Sequence, residues 1–264
     1  MSTRIFYFTG SGNSLAIART LAEGLGAAQV LPMAKHLRDV SIADAACVGL
    51  VTPVYAWGPP RMVNEFISGL KTRKDQYVFA VANCGGNLAA TLKILRRRLR
   101  AAGSHLDAGF GVRAGFVPPL PGMEFGIIKF VAWLGRKTMP GHFADRKDQI
   151  LEAVRASAAH KPESQAWTAN LVGSLMHSAA AGAFPRIDRD FSVGDECVSC
   201  GTCTQICPRE NVTLVDGRPT WHQNCESCYA CYLWCPQKAI SFKGARPTDP
   251  THHPDVTLGD MLLR

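Results

Sequence analysis

In the first half of the chain, apolar residues come as short unbroken runs separated by helical stretches. Residues 4–8 (RIFYF), 46–51 (ACVGLV) and 77–81 (YVFAV) carry no polar alternation. Runs of this kind fit strands buried on both faces. Between them, apolar positions recur at helical spacing. Leu15, Ala18, Leu21, Ala22 and Leu25 share one face, ended by Gly24 and Gly26. Met62, Val63, Phe66, Ile67 and Leu70 follow Pro59 and Pro60, and Leu88, Leu92, Leu95 and Leu99 mark a third helix. Residues 109–117 are a weaker strand candidate. Ile150, Leu151, Val154 and Ala158 predict a helix completing this domain, and Leu171 and Leu175 another that packs between domains. Strands alternating with helices imply parallel pairing through right-handed crossovers. The predicted architecture is α/β, a doubly wound open sheet with its ligand crevice at the carboxyl ends of the strands.

Three loops meet at that crevice. The first is Thr9, Gly10, Ser11, Gly12, Asn13 and Ser14. Its glycines let the backbone curl around an anion, its side chains add neutral donors, and the next helix points its N-terminus at the same spot. No lysine makes it a Walker loop, and Leu15 stands where a dinucleotide fingerprint needs its third glycine. One phosphate on neutral donors fits; a tight turn with an N-cap is the plainer reading. The second loop holds Thr52, Pro53, Val54, Tyr55, Ala56, Trp57 and Gly58, with two aromatics placed to stack on a planar ring. The third holds Asn83, Cys84, Gly85, Gly86 and Asn87, whose backbone can approach a heteroaromatic edge closely.

The second half carries a different pattern. Of ten cysteines, Cys47 and Cys84 are scattered, Cys47 reading as a core residue, and eight lie between Cys197 and Cys235. Cys197, Cys200, Cys203 and Cys207 precede Pro208; Cys225, Cys228, Cys231 and Cys235 precede Pro236. Each set matches the bacterial run for [4Fe-4S] clusters, whose fourth cysteine ligates the other cluster. One cube therefore takes Cys197, Cys200, Cys203 and Cys235, and the second Cys225, Cys228, Cys231 and Cys207. Zinc also binds paired C-x-x-C motifs, but the doubled four-cysteine run with its prolines points to iron–sulfur. Val198, Ile206, Tyr232, Trp234 and Ile240 are expected to shield the cubes, and residues 211–215 and 239–242 to form short strands of a pseudo-symmetric module.

The run from Tyr7 to Ser14, with hydroxyls at Thr9, Ser11 and Ser14, resembles the FMN phosphate loop of flavodoxins. The likeness covers about the first 115 residues, and implies a flavodoxin-like fold with noncovalent FMN flanked by Tyr55 or Trp57. Long-chain flavodoxins carry acidic residues near the flavin, whereas residues 52–61 and 83–90 contain no Asp or Glu. Taken with the cysteine runs, nearly the whole chain resembles flavodoxin–ferredoxin fusion proteins. The implied division is a flavodoxin-like FMN domain over 1–162, a connecting helix over 163–186, a smaller α+β two-[4Fe-4S] ferredoxin domain over 187–245, and a tail over 246–264.

Charge then reads differently. The formal balance of +8 would by itself raise nucleic acid as a partner. Two cubes at about −2 each and a flavin phosphate at about −2 bring the holoprotein near +2, and nucleic acid drops out. Lys93, Arg96, Arg97, Arg98 and Arg100 read as a solvated helix face, with a docking patch for an acidic redox partner as the other reading. Residues 123–134 and 166–184 are too short or too polar to span a membrane, and no targeting segment is visible. The predicted location is the cytoplasm, where thiols stay reduced. Two function classes fit: an electron carrier working with a redox protein partner, and an FMN-dependent reductase of a small organic substrate fed by the clusters. No acid–base pair stands out near the loops, which favours the carrier. The stiff stretch 118–122 lies beside the expected flavin edge, as a lid or as a wall. His252 and His253 are assigned no metal.

Overall fold

The computed structural model describes residues 2–37, 40–113, 139–164, 167–247 and 252–262. Strands β1 (Thr3–Tyr7), β2 (Ala28–Pro32), β3 (Cys47–Pro53), β4 (Tyr77–Cys84) and β5 (Ala108–Arg113) form one parallel sheet in the order β2-β1-β3-β4-β5. The chain runs outward in one direction from β1 and in the other from β3. The switch point between them opens a crevice at the strands' carboxyl ends.

The unbroken apolar runs are explained by burial on both sides. Ile5, Tyr7, Phe79, Val81 and Phe110 face helices α1 (Asn13–Leu25) and α4 (Phe143–Arg155). Their alternates Phe6, Phe8, Leu50, Val78 and Ala80 face α2 (Arg61–Gly69) and α3 (Thr91–Ala101). Phe6, Phe66 and Phe79 are fully buried, and each such side chain contributes about 1.5–3 kcal/mol. On α3, Leu92, Leu95 and Leu99 are buried while Lys93, Arg97, Arg98 and Arg100 are exposed, a solvated cationic face.

Strand β2 has no counterpart in the sequence reading. It is an edge strand, half-exposed, with one polar residue and a terminal proline, so no apolar run announces it. The helix expected from Leu88 begins at Thr91; Leu88 sits in the preceding turn, where Asn87 Oδ1 accepts the Ala89 N–H at 2.9 Å. The stretches 118–122 and 123–134, and the end of the strand candidate 109–117, lie outside the described residues.

Helix α5 (Trp167–Ala181) leads into the second module. There β6 (Phe191–Val193) pairs antiparallel with β9 (Ile240–Phe242), and β7 (Val212–Val215) with β8 (Arg218–Trp221). Short helices α6 (Thr202–Ile206) and α7 (Ala230–Leu233) lie between them. A shift of 28 residues carries Cys197 onto Cys225, β7 onto β9 and β6 onto β8. The strands of the two halves thus exchange partners as the cysteines do. A last short helix, α8 (Leu258–Leu262), returns to α1, where Asp260 pairs with Arg19. Among the described residues, no helix is long and apolar enough to cross a membrane.

Candidate functional site: three loops beneath a two-cavity cysteine module

At the carboxyl ends of β1, β3 and β4 the three sequence-predicted loops do meet, and Asn83 ties them. Its Nδ2 donates to Ser14 Oγ at 2.6 Å and to the Thr52 carbonyl at 3.2 Å, and its own carbonyl accepts the Val54 N–H at 3.0 Å. In the first loop the Gly12 N–H donates to Thr9 Oγ1 at 2.9 Å and Asn13 Nδ2 to Ser11 Oγ at 3.0 Å. Gly12 precedes α1 with φ +93°, a conformation open to glycine at no steric cost. The first turn of α1 brings N–H groups that a helix leaves without an intrahelical acceptor. Residues 9–14 contain no carboxylate. Helix N-terminus, hydroxyls and amide together suit a phosphate, so the donor set fits the group the loop resembles a site for.

In the second loop, Tyr55 and Gly58 exchange backbone hydrogen bonds at 2.9 and 3.1 Å around Ala56 and Trp57, both at positive φ (44° and 66°). Two left-handed non-glycine residues in a row cost on the order of 1–3 kcal/mol each. Helix α5 holds the turn in place. His177 Nδ1 donates to the Tyr55 carbonyl at 3.2 Å, its ring lies where a Cβ on Gly58 would be, and Trp57 packs on Gly173. Burial lowers the His177 pKa, keeping the ring neutral. Tyr55 leans toward the first loop, its hydroxyl 3.0 Å from where a Cβ on Gly10 would stand. In the third loop Gly85 and Gly86 follow Cys84, which is buried, its thiol pushed up to about 12 by burial. A thiol so placed is inert. Cys47 is likewise a fully buried core residue.

The eight clustered cysteines separate into two cavities. Cys197, Cys200, Cys203 and Cys235 line one; Cys207, Cys225, Cys228 and Cys231 line the other. Each grouping takes three cysteines from one half and the fourth from the other. A single zinc needs four ligands around one point at about 2.3 Å. Among the described residues no three or more His, Cys, Asp or Glu side chains form such a group. Ser199 and Gly201 in one half, and Ser227 and Tyr229 in the other, hold matching positive φ values. The turn at Ser227 brings its N–H to 3.3 Å from Cys225 Sγ, and beyond Glu210, also at positive φ, the Asn211 N–H lies 3.3 Å from Cys207 Sγ. Burial holds the Cys203 thiol up at about 11 and pushes those of Cys225 and Cys231 well up. Filling either cavity with iron therefore displaces protons.

The module sits directly on the first loop. A Cβ on Gly10 would lie 2.1 Å from the Cys228 carbonyl oxygen. Trp234, expected to shield a cube, instead donates its indole N–H to the Gly10 carbonyl at 2.8 Å. Its ring stacks on His252 at 3.8 Å between centroids. The segment 252–262, read from sequence as a polar tail, crosses the first loop. The His253 N–H donates to the Ser11 carbonyl at 2.8 Å, His253 and Val256 press on Gly12, and Val256 and Met261 are buried. Thr9, Asn13 and Ser14 are buried.

Glu226, between two cluster cysteines, is a further residue the sequence reading missed. It is buried, and its Oε1 accepts the Met62 N–H at the start of α2 at 2.8 Å. Oε2 takes Arg209 Nε at 2.7 Å, and Arg209 also reaches Glu65. Burial pushes this carboxyl up, and Arg209 and the Met62 N–H pull it back. Removing one member of a buried pair strands the other, at about 3–5 kcal/mol. Glu226→Ala should therefore lower the unfolding midpoint of anaerobic protein far more than Glu226→Gln, which keeps an oxygen for Met62. Equal midpoints for wild type and both variants would show that the pair does not hold the module down.

A family model described as a flavodoxin domain matches residues 4–137, more than half of the chain, and one described as a 4Fe-4S dicluster domain matches 185–240. No curated protein matches the chain. Among solved structures, a short-chain flavodoxin associated with a PDU bacterial microcompartment is 14% identical at TM-score 0.40, over 60% of this chain and 100% of its own. Megasphaera elsdenii flavodoxin is 17% identical at TM-score 0.32, over 42% and 85%. Rubredoxin oxygen:oxidoreductase from Desulfovibrio gigas is 20% identical at TM-score 0.38, over 59% of this chain, which spans only 36% of that protein. Fold, cysteine pattern and family models converge: the chain belongs to the flavodoxin domain family, continued by a 4Fe-4S dicluster domain as a flavodoxin–ferredoxin fusion.

Proposed function

We propose that this iron–sulfur flavoprotein holds FMN on its three loops and two [4Fe-4S] clusters in its two cavities, and passes electrons between them and a redox protein partner in the cytoplasm. The observation that carries the reading is the seating of the Cys228 loop against Gly10. It joins a cluster-binding loop to a phosphate-type loop in one chain. Thr9, Gly10, Ser11, Gly12, Asn13 and Ser14 would hold the phosphate. Pro53, Val54, Tyr55, Ala56 and Trp57 would wall the ring, and Asn83, Cys84, Gly85 and Gly86 would meet its edge. Bound FMN supplies exchange of one or two electrons, against one for each cube. Cys197, Cys200, Cys203 and Cys235 hold one cube, and Cys207, Cys225, Cys228 and Cys231 the other.

The second reading is reduction of a small organic substrate at FMN. A reductase needs a proton donor near the ring, and residues 52–61 and 83–90 code no carboxylate, while His177 is held neutral against Tyr55. Both features favour the carrier. Anaerobic protein should contain about eight iron and eight sulfide, with one FMN. Zinc without sulfide would overturn the cluster assignment. Ser11→Asp and Ser14→Asp each set a negative charge against the phosphate and should weaken FMN at least about tenfold, roughly 1.4 kcal/mol. Flavin affinity unchanged in both variants would show that the loop is only a turn.

A further inference from the structure

The 28-residue repeat allows the two cluster-binding halves to be compared position by position, and they are not equivalent. Val198 and Glu226 occupy corresponding places between the first two cysteines of each run. The apolar one is 61% exposed and the charged one 3% exposed, the reverse of what side-chain chemistry alone dictates. The inversion has a physical cause. Glu226 is buried because its half is pressed on the flavodoxin domain, where it accepts the Met62 N–H. Val198, in the other half, has no such cover among the described residues.

The cysteines follow the same division. Cys228 packs with Val54 and Tyr55 against the sheet's α2/α3 core, and its carbonyl lies on Gly10. Its counterpart Cys200 is exposed. Arg61 adds a contact from the flavodoxin side, its guanidinium bonded to Asn224 at 3.0 Å, next to Cys225. Leu214 and Val215, both exposed, belong to the same outer half as Val198, and Leu214 lines the Cys200 cavity.

We infer that the two cubes work in a fixed spatial order: the one held by Cys207, Cys225, Cys228 and Cys231 is the inner centre, against the first loop. The one held by Cys197, Cys200, Cys203 and Cys235 is the outer centre, where a one-electron donor protein meets the chain. The inference rests on the proposed carrier function and adds the order of the two centres. One passage would oxidise the donor by one electron and reduce FMN by that same electron: the exposed Cys200 side would receive it and the Cys228 side, against Gly10, would pass it on, leaving both cubes as they began. No atom is transferred.

The test reads the cubes magnetically and needs no flavin. Full-length anaerobic protein is reduced with dithionite, and paramagnetic spectra are recorded with and without a bulky, water-soluble dysprosium chelate. Cys200→Ser and Cys231→Ser assign the two signals, since each alters only the cube it ligates; outright loss of a cube assigns its signal equally well. The chelate should shorten the relaxation time of the Cys200-dependent signal at least several-fold more than that of the Cys231-dependent signal. Equal effects, or a larger effect on the Cys231-dependent signal, would overturn the order. Flavin content, measured on the same samples, judges the carrier reading separately: protein with ordered cubes and no FMN would defeat that reading and leave the order standing.

Discussion

Replacing Cys207 with alanine should remove one cube and spare the other, taking iron and sulfide from about eight each to about four. The cube lost should be the one whose other three ligands lie some twenty residues downstream. Cys207 shares its cavity with Cys225, Cys228 and Cys231, not with the three cysteines that precede it. A cube with three thiolates loses an iron or dissociates, and the Cys225 and Cys231 thiols are driven toward their protonated forms by burial. Their cavity should therefore release its metal more completely as the pH falls, because protons compete for thiols whose pKa is already raised. Cys235→Ala should give the mirror result, with loss confined to the cube of Cys197, Cys200 and Cys203. Iron, sulfide and paramagnetic spectra on both variants check the crossing. Loss of the Cys197 cube in Cys207→Ala would refute it.

The parts that sequence reveals are those in which local pattern and final environment coincide. The runs at β1, β3 and β4 are apolar throughout because both faces are covered, and the cysteine spacing is set by the size of a cube. Asn83 was legible as a loop residue, though not as the side chain that joins Ser14 to Thr52. What escaped depends on which surface meets which. Trp234 reads as a shield for the cube beside it, and its indole turns instead to Gly10 of the other domain. Nothing in the sequence marks Glu226 as buried; its place follows from α2 lying against it. Val256 and Met261 lie in a short stretch, 252–262, whose four apolar residues (Val256, Leu258, Met261 and Leu262) are too few to mark a helix of any length. They are buried because α1 and the module form a cleft that only the folded chain possesses. His177 carries no motif; its role in holding the Tyr55 turn follows from where α5 is laid down.

Gly10→Ala should separate the two modules while leaving their folds intact. A methyl group at this position would stand 2.1 Å from the Cys228 carbonyl oxygen and 3.0 Å from the Cys228 carbonyl carbon. The obstacle is backbone, so no rotamer change relieves it. Overpacking of this kind typically costs about 1–3 kcal/mol, and opening the contact also gives up the Trp234–Gly10 hydrogen bond, worth about 1 kcal/mol. Cys228 cannot retreat alone, because its sulfur is tied to the inner cavity; the module must lift as a unit, taking Glu226 from Met62. The variant should keep about eight iron, since its cysteines are untouched, yet scatter X-rays as a longer particle and be cut faster by protease around residues 182–190. Gly182→Ala is the control, because nothing lies within 4 Å of an added Cβ there. Flavin should bind more weakly in Gly10→Ala as well, because His253 and Val256 close the first loop from the same side. Scattering and proteolysis indistinguishable from the Gly182→Ala protein would mean that the Cys228 loop does not rest on Gly10, and the internal contact between the two redox modules would be lost with it.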